Sequence, residues 1–342
     1  MKTEYLIYPG VFLLLILVMQ LYIRLARRYD IVDEPGYRSN HSVTVLRGGG
    51  ILFPVAILVF FLINGPLHPQ FFLGTLLLAV VSFWDDLGNV KAFHRLLVQF
   101  VAVGLMIYDL NTGGYGWAAL FLMFFVAVGW INAFNFMDGI NGITAINAAL
   151  NLGTLVLINY DLRFIEMRLL VFLMLSVIVF GIYNFRIRAL VFAGDVGSIT
   201  MAYATAFAMA ALILKTGQWQ YLLFLSVYVV DAGYSVLHRV FHGFNPLKPH
   251  RTFLFHMLVN EVGWPHLAVS SLYAGIQLVI NLLVYYIIIP ANYTNVWGIV
   301  LMVVLSILYW TLKSYLRKKA KVKGSLWPEQ HEKISLARKK AR

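Results

Sequence analysis

Long apolar stretches, separated by short polar segments, run through the whole chain. A helix needs about 20 apolar residues to cross the hydrocarbon core of a bilayer. The pattern predicts eleven such helices, at 5–24, 48–65, 69–84, 93–109, 116–134, 141–159, 168–185, 197–214, 218–238, 266–289 and 294–313. The uncharged run from 262 to 312 is too long for one span, and Pro290 with its neighbours supplies the break. We therefore predict an all-α, polytopic integral membrane protein.

The composition supports this prediction. Of 342 residues, 61% are hydrophobic and only 12% are charged, whereas soluble domains carry about 25% charged residues. Cysteine is absent, which excludes disulfides and thiolate metal sites. The first apolar run is too long for a signal peptide and lacks a small-residue cleavage site. We predict one transmembrane domain over residues 1–312 and a basic tail over 313–342.

The positive charge is distributed unevenly between the two sets of loops. Of the 27 Lys and Arg residues, 23 fall in loops on one side, although the net charge of +12 would suggest nucleic acid in a soluble protein. Basic residues collect on the cytoplasmic side of membrane proteins. We therefore expect a cytoplasmic C-terminus, an extracytoplasmic N-terminus and no nucleic-acid partner. The tail is predicted either to be solvated or to lie on anionic membrane lipid.

Three acidic loops end apolar segments, and all three fall on the predicted cytoplasmic side. They contain Asp85 and Asp86, then Asp138 with three asparagines, then Asp195 between glycines. Carboxylates beside hydrocarbon persist mainly to bind ions, protons or substrates. The loops therefore predict a single acidic site on the cytoplasmic face.

The first two loops each allow two interpretations. Asp85 and Asp86 diverge by about 100° on a helix, and together with distant carboxylates they suit Mg²⁺; alternatively, they are solvated acids at a helix end. Asn132, Asn135 and Asp138 have three-residue spacing, which would stack them on one helical face. The alternative for these polar groups is hydrogen bonding between helices.

The third loop, from Phe192 to Ser198, precedes a helix predicted to begin near Ser198. Helix N-termini and glycine-rich backbone offer N–H groups to phosphate. Asp195 is placed to hold a metal that bridges such a phosphate. Phe192 offers a stacking face for a base, with plain packing as the alternative.

The fifth cytoplasmic loop carries cations opposite these acids, as anionic substrates require. They include Arg239, Lys248, His250 and Arg251. The spacing of its three histidines, the others being His242 and His256, matches no common zinc signature. Asp231, inside the ninth predicted span, is either functional or paired with a neighbouring helix. His41 and Arg47 are weaker candidates, because loop cations usually reflect topology.

Four motifs together resemble the polyprenyl-phosphate N-acetylhexosamine-1-phosphate transferases of glycosyl transferase family 4. They are Trp84-Asp85-Asp86, the Asn132–Gly142 segment, the Phe192–Ser198 segment and Pro249-His250-Arg251, all in the family's order. The resemblance runs from about Asp33 to His266 and implies ten or eleven helices. The family that the chain resembles includes the phospho-MurNAc-pentapeptide translocases and the transferases that initiate surface polysaccharides such as O-antigen. A protein of this family belongs in the bacterial cytoplasmic membrane and serves cell-wall biogenesis.

The resemblance implies transfer of a sugar 1-phosphate from a UDP-sugar to undecaprenyl phosphate, with Mg²⁺ and release of UMP. It assigns Asp195 and Asp86 to the metal, and Asp85, Asp86 and Asp138 to catalysis. The implied substrate-binding residues are Asn132, Asn135, Asn141, Phe192 (against uracil), Arg47, His250 and Arg251. Many members have Asp in place of Asn141 and histidines in place of Phe253 and Phe255. The missing histidine triplet favours the GlcNAc-like, polysaccharide-initiating branch over the peptide-bearing one.

Two other classes remain open from the residues themselves. A multi-helix transporter would use intramembrane acids for ion coupling, although inverted repeats are not evident. A CDP-alcohol phosphotransferase would show a longer multi-aspartate motif. The sequence does not fix the oligomeric state, and a homodimer is compatible with it.

Overall fold

The computed structural model describes residues 4–34, 43–88, 90–110, 112–241, 243 and 252–322. Its helices are α1 (Glu4–Arg28), α2 (Leu52–Asn64), α3 (Pro69–Leu87), α4 (Ala92–Asp109), α5 (Trp117–Met137), α6 (Ile143–Leu162), α7 (Met167–Asn184), α8 (Gly194–Thr216), α9 (Ser226–Phe241), α10 (Leu254–Met257), α11 (His266–Leu283) and α12 (Thr294–Val322). A 3₁₀ turn (Gly49–Ile51) precedes α2 and another (Trp219–Leu225) precedes α9, while π-helical segments follow α10 (Leu258–Val262) and α11 (Val284–Ile288). The strands β1 (Val32–Asp33) and β2 (Val45–Leu46) pair antiparallel.

The prediction of an all-α, polytopic membrane protein is confirmed. Within the described ranges, ten helices are long and apolar enough to cross a membrane. The span predicted at 48–65 is a shorter apolar helix, Gly49–Asn64. α12 continues to Val322, past residue 313, where the sequence places the start of the tail.

The helix α8 forms the centre of the bundle, and α3, α5, α2 and α6 pack around it. Of the apolar window of α8, 89% is buried, compared with 11% for α12 at the periphery. The composition explains this position, because small residues (alanine, glycine, serine and threonine) dominate α8 and let neighbouring backbones approach closely. Asp195, in the first turn of α8, is therefore held by the most buried of the candidate membrane-spanning helices.

A second polar cluster marks the opposite end of α3. His68 precedes α3 and contacts Asp109 and Glu166 at 2.9 Å each, which ties the starts of α3 and α7 to the end of α4. At about 1.5 Å per residue, the 19 residues of α3 span about 28 Å, close to the thickness of a bilayer core. The His68 cluster and the acids at the end of α3 thus lie near opposite membrane faces.

Candidate active site

Carboxylates from two helices meet at one end of the bundle. Asp85 and Asp86 lie in the last turn of α3, Asp195 lies in the first turn of α8, and Asn135 comes from the last turns of α5. The Asn135 amide donates to Asp195 Oδ1 at 3.2 Å and to Ser198 Oγ at 2.9 Å. Groups far apart in sequence are therefore assembled around Asp195.

Asp86 caps the N-terminus of α8. Its carboxylate accepts the backbone N–H groups of Asp195 at 2.8 Å and Val196 at 3.0 Å, and its side chain is fully buried. A carboxylate is stabilised there by the helix dipole and by otherwise unpaired N–H donors. Gly194, at φ +71°, leaves the necessary room, since a Cβ on it would lie 2.5 Å from Asp86 Oδ2. The helix begins at Gly194, four residues before the predicted Ser198, and its N–H groups at Asp195 and Val196 donate to Asp86.

Arg47 crosses between two of the acids. Its Nε donates to Asp86 Oδ1 at 2.7 Å and its Nη2 to Asp195 Oδ1 at 3.4 Å. Although burial favours the neutral form, the charges of Asp86 and Asp195 raise the pKa of Arg47 above its ordinary value. Arg47 is therefore a charged member of the site as well as one of the basic loop residues.

Backbone pairing places Arg47. Leu46 bridges Val191, and the N–H groups of Gly49 and Gly50 donate to the carbonyls of Phe192 and Ala193 at 2.9 and 3.0 Å. Gly50 and Gly197 touch back to back, because a Cβ on Gly50 would lie 2.2 Å from the Gly197 Cα. Only glycine permits this approach. The glycine run after Arg47 therefore lets this segment pack against α8 and places Arg47 beside the acids.

Arg95 is a site residue that the sequence did not single out. Its guanidinium bridges Asp85 Oδ2 at 2.7 Å and Asp195 Oδ2 at 2.9 Å. A signal was present, because the short connection between α3 and α4 returns the first turn of α4 to the end of α3. Asp85 is held further by the N–H of Val90 at 2.8 Å. The adjacent acids thus diverge as predicted, Asp85 toward Arg95 and Asp86 toward Arg47.

The Asn132–Gly142 loop is divided between the site and structural contacts. The Asn132 amide, one turn before Asn135 on α5, donates to the Gln99 side chain on α4 at 2.7 Å. Asp138 falls just beyond the end of α5 and accepts Thr144 Oγ1 at 2.5 Å, so the expected stacking on one helical face is wrong for Asp138, whereas Asn132 and Asn135 both lie on α5. Asn141 donates to the carbonyls of Arg186 and Ile187 at 3.1 and 3.0 Å, which fixes the neighbouring loop.

The remaining candidates are only partly described. Phe192 is half-buried, and its backbone lies in the pairing with Leu46 and Gly49. His250, Arg251, His242, Lys248 and His41 lie outside the described residues. His256, named at first only for its spacing, is buried against Gly139, since a Cβ on Gly139 would lie 3.1 Å from its Nε2.

The electrostatics of the site favour a cation and a proton-carrying group. Three carboxylates (Asp85, Asp86 and Asp195) face two guanidiniums, which leaves an excess of negative charge. Nearby, loss of hydration raises the pKa of Asp138 to about 7, the Thr144 hydrogen bond opposing this and the charges of Asp195 and Asp86 adding to it. A carboxyl with that pKa holds or releases a proton near neutral pH.

The donor set fits Mg²⁺ in chemical type. Carboxylate and amide oxygens are the ligands that this hard cation prefers, and it usually retains several waters. Among the described residues, no group of three acidic or histidine side chains is arranged around a common point. The carboxylates are paired with Arg47 and Arg95, so a cation would take over oxygens that these arginines now contact.

These features define a class, a multi-pass α-helical membrane protein with a carboxylate–arginine site where helix ends meet. A family model described as glycosyl transferase family 4 matches residues 68–215, the segment that contains Asp85, Asn135 and Asp195. The chain is 27% identical over 271 residues to the phospho-N-acetylmuramoyl-pentapeptide-transferase of Streptococcus mutans, covering 67% of this chain and 77% of the relative. Over residues 68–215 the chain is thus similar to glycosyl transferase family 4, and the similarity to the named transferase extends over 67% of the chain.

Two further relatives carry a different sugar in their names. The chain is 23% identical over 260 residues to a probable undecaprenyl-phosphate N-acetylglucosaminyl 1-phosphate transferase of Bacillus subtilis, covering 69% of this chain and 72% of the relative. It is 24% identical over 270 residues to the undecaprenyl-phosphate alpha-N-acetylglucosaminyl 1-phosphate transferase of Yersinia pestis, with the same two coverages, 69% and 72%. All three names describe transfer of a sugar phosphate, two of them name undecaprenyl phosphate, and the sugars differ.

Proposed function

We propose that this protein transfers an N-acetylhexosamine 1-phosphate from a UDP-sugar to a polyprenyl phosphate, undecaprenyl phosphate in bacteria, and releases UMP. The observation that carries the proposal is the convergence of Asp85, Asp86 and Asp195 with Arg47 and Arg95 at one end of the bundle. The names of all three relatives support the sugar phosphate, and two of them support the lipid.

The reaction needs positioning and charge neutralisation more than covalent help from the protein. An oxygen of the lipid phosphate attacks the phosphorus attached to the sugar, the bond between the two phosphates of the UDP-sugar breaks, and UMP leaves. A phosphate monoester has a second pKa near 6 and is mostly dianionic at pH 7. The nucleophile is therefore largely ready, and Asp138 accepts the residual proton.

Arg47 and Arg95 are placed to neutralise the two reacting phosphates. Guanidinium groups bind phosphate oxygens bidentately and keep their charge. Asp195 and Asp86 would hold Mg²⁺, which offsets the charge that builds up on the phosphates. Arg47 and Arg95 would then exchange their contacts with the carboxylates for contacts with the substrate phosphates.

We favour a GlcNAc-like sugar and the polysaccharide-initiating branch. The fifth loop has Phe253 and Phe255 and no histidine triplet, and the Bacillus subtilis and Yersinia pestis relatives are named for N-acetylglucosamine. Discrimination between such sugars depends on a few hydrogen bonds to their hydroxyls. A transporter would not release UMP, so a measurement of UMP release distinguishes a transferase from a transporter.

The test is a substrate panel with purified full-length protein, undecaprenyl phosphate and Mg²⁺. UMP should appear with UDP-GlcNAc and not with UDP-MurNAc-pentapeptide. Asp195→Asn should lower the rate at least about a hundredfold, whereas Asp161→Asn, exposed on α6 at the opposite end of the bundle, should leave it unchanged. No UMP from any UDP-sugar would overturn the proposal, and UMP from the pentapeptide substrate alone would overturn the branch.

A further inference from the structure

A second buried acid lies inside the membrane-spanning part, outside the site described above. Asp231 belongs to α9, in the span Trp219–Phe241, and is 1% exposed. Its Oδ1 accepts the Tyr309 hydroxyl at 2.8 Å and its Oδ2 accepts the Tyr273 hydroxyl at 2.7 Å. A carboxylate at this depth is costly and is retained for a reason.

The backbone contacts of Asp231 show what it holds. It accepts the N–H of Leu254 at 2.9 and 3.1 Å and the N–H of Phe255 at 3.5 Å. These are the first N–H groups of α10, which have no partner within the helix. The residue at the N-cap is Phe253, whose side chain has no oxygen to accept them. Asp231 therefore caps α10 from another helix.

α10 in turn packs on the loop that follows α5. Phe255 is completely buried, and a Cβ on Gly139 would lie 2.9 Å from its ring. His256 lies against the same glycine, which directly follows Asp138. Phe253 and Phe136 place their rings 6.3 Å apart. The position of α10 thus determines what lies over the Asp138 loop.

A buried cation joins this anchor to α12. Lys313 is 5% exposed and donates to Ser235 Oγ at 2.7 Å and to the Tyr309 hydroxyl at 2.5 Å. Ser235 lies one turn after Asp231 on α9 and contacts the Thr252 carbonyl at 3.4 Å. A satisfied polar network of this kind is rigid, and losing one member leaves the others buried without partners.

We propose that Asp231 is a positioning residue, which fixes the end of the fifth loop over the active site through the start of α10. Its partners Tyr273 and Tyr309 connect α11 and α12 to the same point, and Lys313 reinforces it by donating to Tyr309 and Ser235. Thr252, whose carbonyl contacts Ser235, follows Arg251 directly in the sequence. The expected effect on substrate binding rests on the proposed transfer reaction, whereas the capping of α10 by Asp231 does not.

The first test is hydrogen exchange of the purified full-length protein carrying Asp231→Asn. Asparagine keeps the volume but removes the charge and one acceptor. The amides of Leu254 and Phe255 should exchange at least about tenfold faster, while those of α8 stay unchanged, because the loss is local. Tyr309→Phe, which removes one donor and keeps the carboxylate, should give a smaller change in the same amides and serves if Asp231→Asn does not fold.

The second test is kinetic. Asp231→Asn should raise the KM for the UDP-sugar several-fold with a smaller change in kcat, since the loop is displaced and the carboxylates of the site are untouched. Asn281→Ala is the matched control, because Asn281 is an equally buried polar residue that ties α11 to Thr154 of α6. It should lower the melting temperature without changing that KM.

The outcomes are separable. Unchanged exchange at Leu254 and Phe255 in both variants, or faster exchange spread evenly over all helices, would overturn the anchor. If the wild-type protein transfers no sugar phosphate, the proposed function fails while exchange still decides the anchor. An unchanged KM together with faster exchange would show that Asp231 holds α10 without positioning the substrate, and would overturn the positioning role.

Discussion

Asp86 combines two roles that are usually separate, a helix cap and a site acid. Its oxygens bind the first N–H groups of α8 and the Arg47 guanidinium at the same time. The cap holds the Asp86 carboxylate against the backbone of Asp195, so the two acids lie close together before a cation or a phosphate binds. A rigid acid pair reduces the ordering that a cation or a phosphate must impose on binding.

Arg95 provides the most direct residue-scale prediction. Arg95→Lys keeps the charge but not the fork that spans Asp85 and Asp195, so kcat/KM for the transfer should fall at least about tenfold. Arg28→Lys, exposed at the end of α1, should behave like the wild type. Equal rates for Arg95→Lys and the wild type would show that the fork has no part in the reaction.

Asp138 predicts a pH dependence. Because its pKa is raised to about 7, the proton-accepting carboxylate forms only as the pH rises through that value. The kcat should therefore increase through about pH 7, and Asp138→Asn should be slower and lack this inflection. Rate profiles of the two proteins at saturating substrate make the comparison. An inflection near pH 7 that persists in Asp138→Asn would assign the titration to another group.

At the residue scale, the acids that the structure brings together could be selected from the sequence because their polarity is out of place. Asp85, Asp86 and Asp195 attract attention because acids seldom border apolar spans. Arg95 did not attract attention, because basic residues are expected near any cytoplasmic loop. Its partner Asp195 lies a hundred positions away in the sequence. The hydrogen bond of Asn132 was not predictable for a similar reason, since its partner Gln99 lies on a different helix.

At the scale of elements, α3 is held at both ends by charged clusters. Although burial favours the neutral ring, hydrogen bonds to Glu166 and Asp109 raise the pKa of His68 above its ordinary value. The same contact lowers the pKa of Glu166. The Phe207 ring of α8 also packs against His68. This end of α3 is therefore fastened most tightly when His68 is protonated.

The sign of the resulting pH effect follows from linkage. Because folding raises the pKa of His68, its contribution to stability is complete below the ordinary histidine value, about 6.5, and is lost as the pH rises through the folded value. The melting temperature in detergent should fall over this range. His68→Gln, which cannot be protonated, should show a lower melting temperature at acid pH and a flatter profile. A wild-type slope of the opposite sign, or the same slope in both proteins, would contradict this.

Element positions were predictable from apolar length, and element ends less so. Ten of the eleven spans agree with the pattern because hydrocarbon thickness sets helix length. The start of α8 was placed four residues late because the capping group is Asp86, which belongs to another helix. A cap supplied by tertiary structure leaves no trace in the local sequence.

At the scale of the whole molecule, the charge asymmetry predicts the orientation. With 23 of 27 basic residues on one side, the C-terminus and the acid site should be cytoplasmic. A fluorescent protein fused after Arg342 should be bright, and alkaline phosphatase fused there should be inactive. Fusions after Gly113, between α4 and α5, should give the reverse. Phosphatase activity of the fusion after Arg342 would show that the protein has the opposite orientation in the membrane.

The central claim is that the bond between the two phosphates of the UDP-sugar is the one that breaks. The decisive measurement follows UDP-GlcNAc that carries radioactive phosphorus in one phosphate at a time, with purified protein, undecaprenyl phosphate and Mg²⁺. Label in the phosphate next to the sugar should enter the lipid, and label next to uridine should appear as UMP. If both labels stay together in UDP while the sugar moves, or if neither position delivers label to the lipid, the account is contradicted.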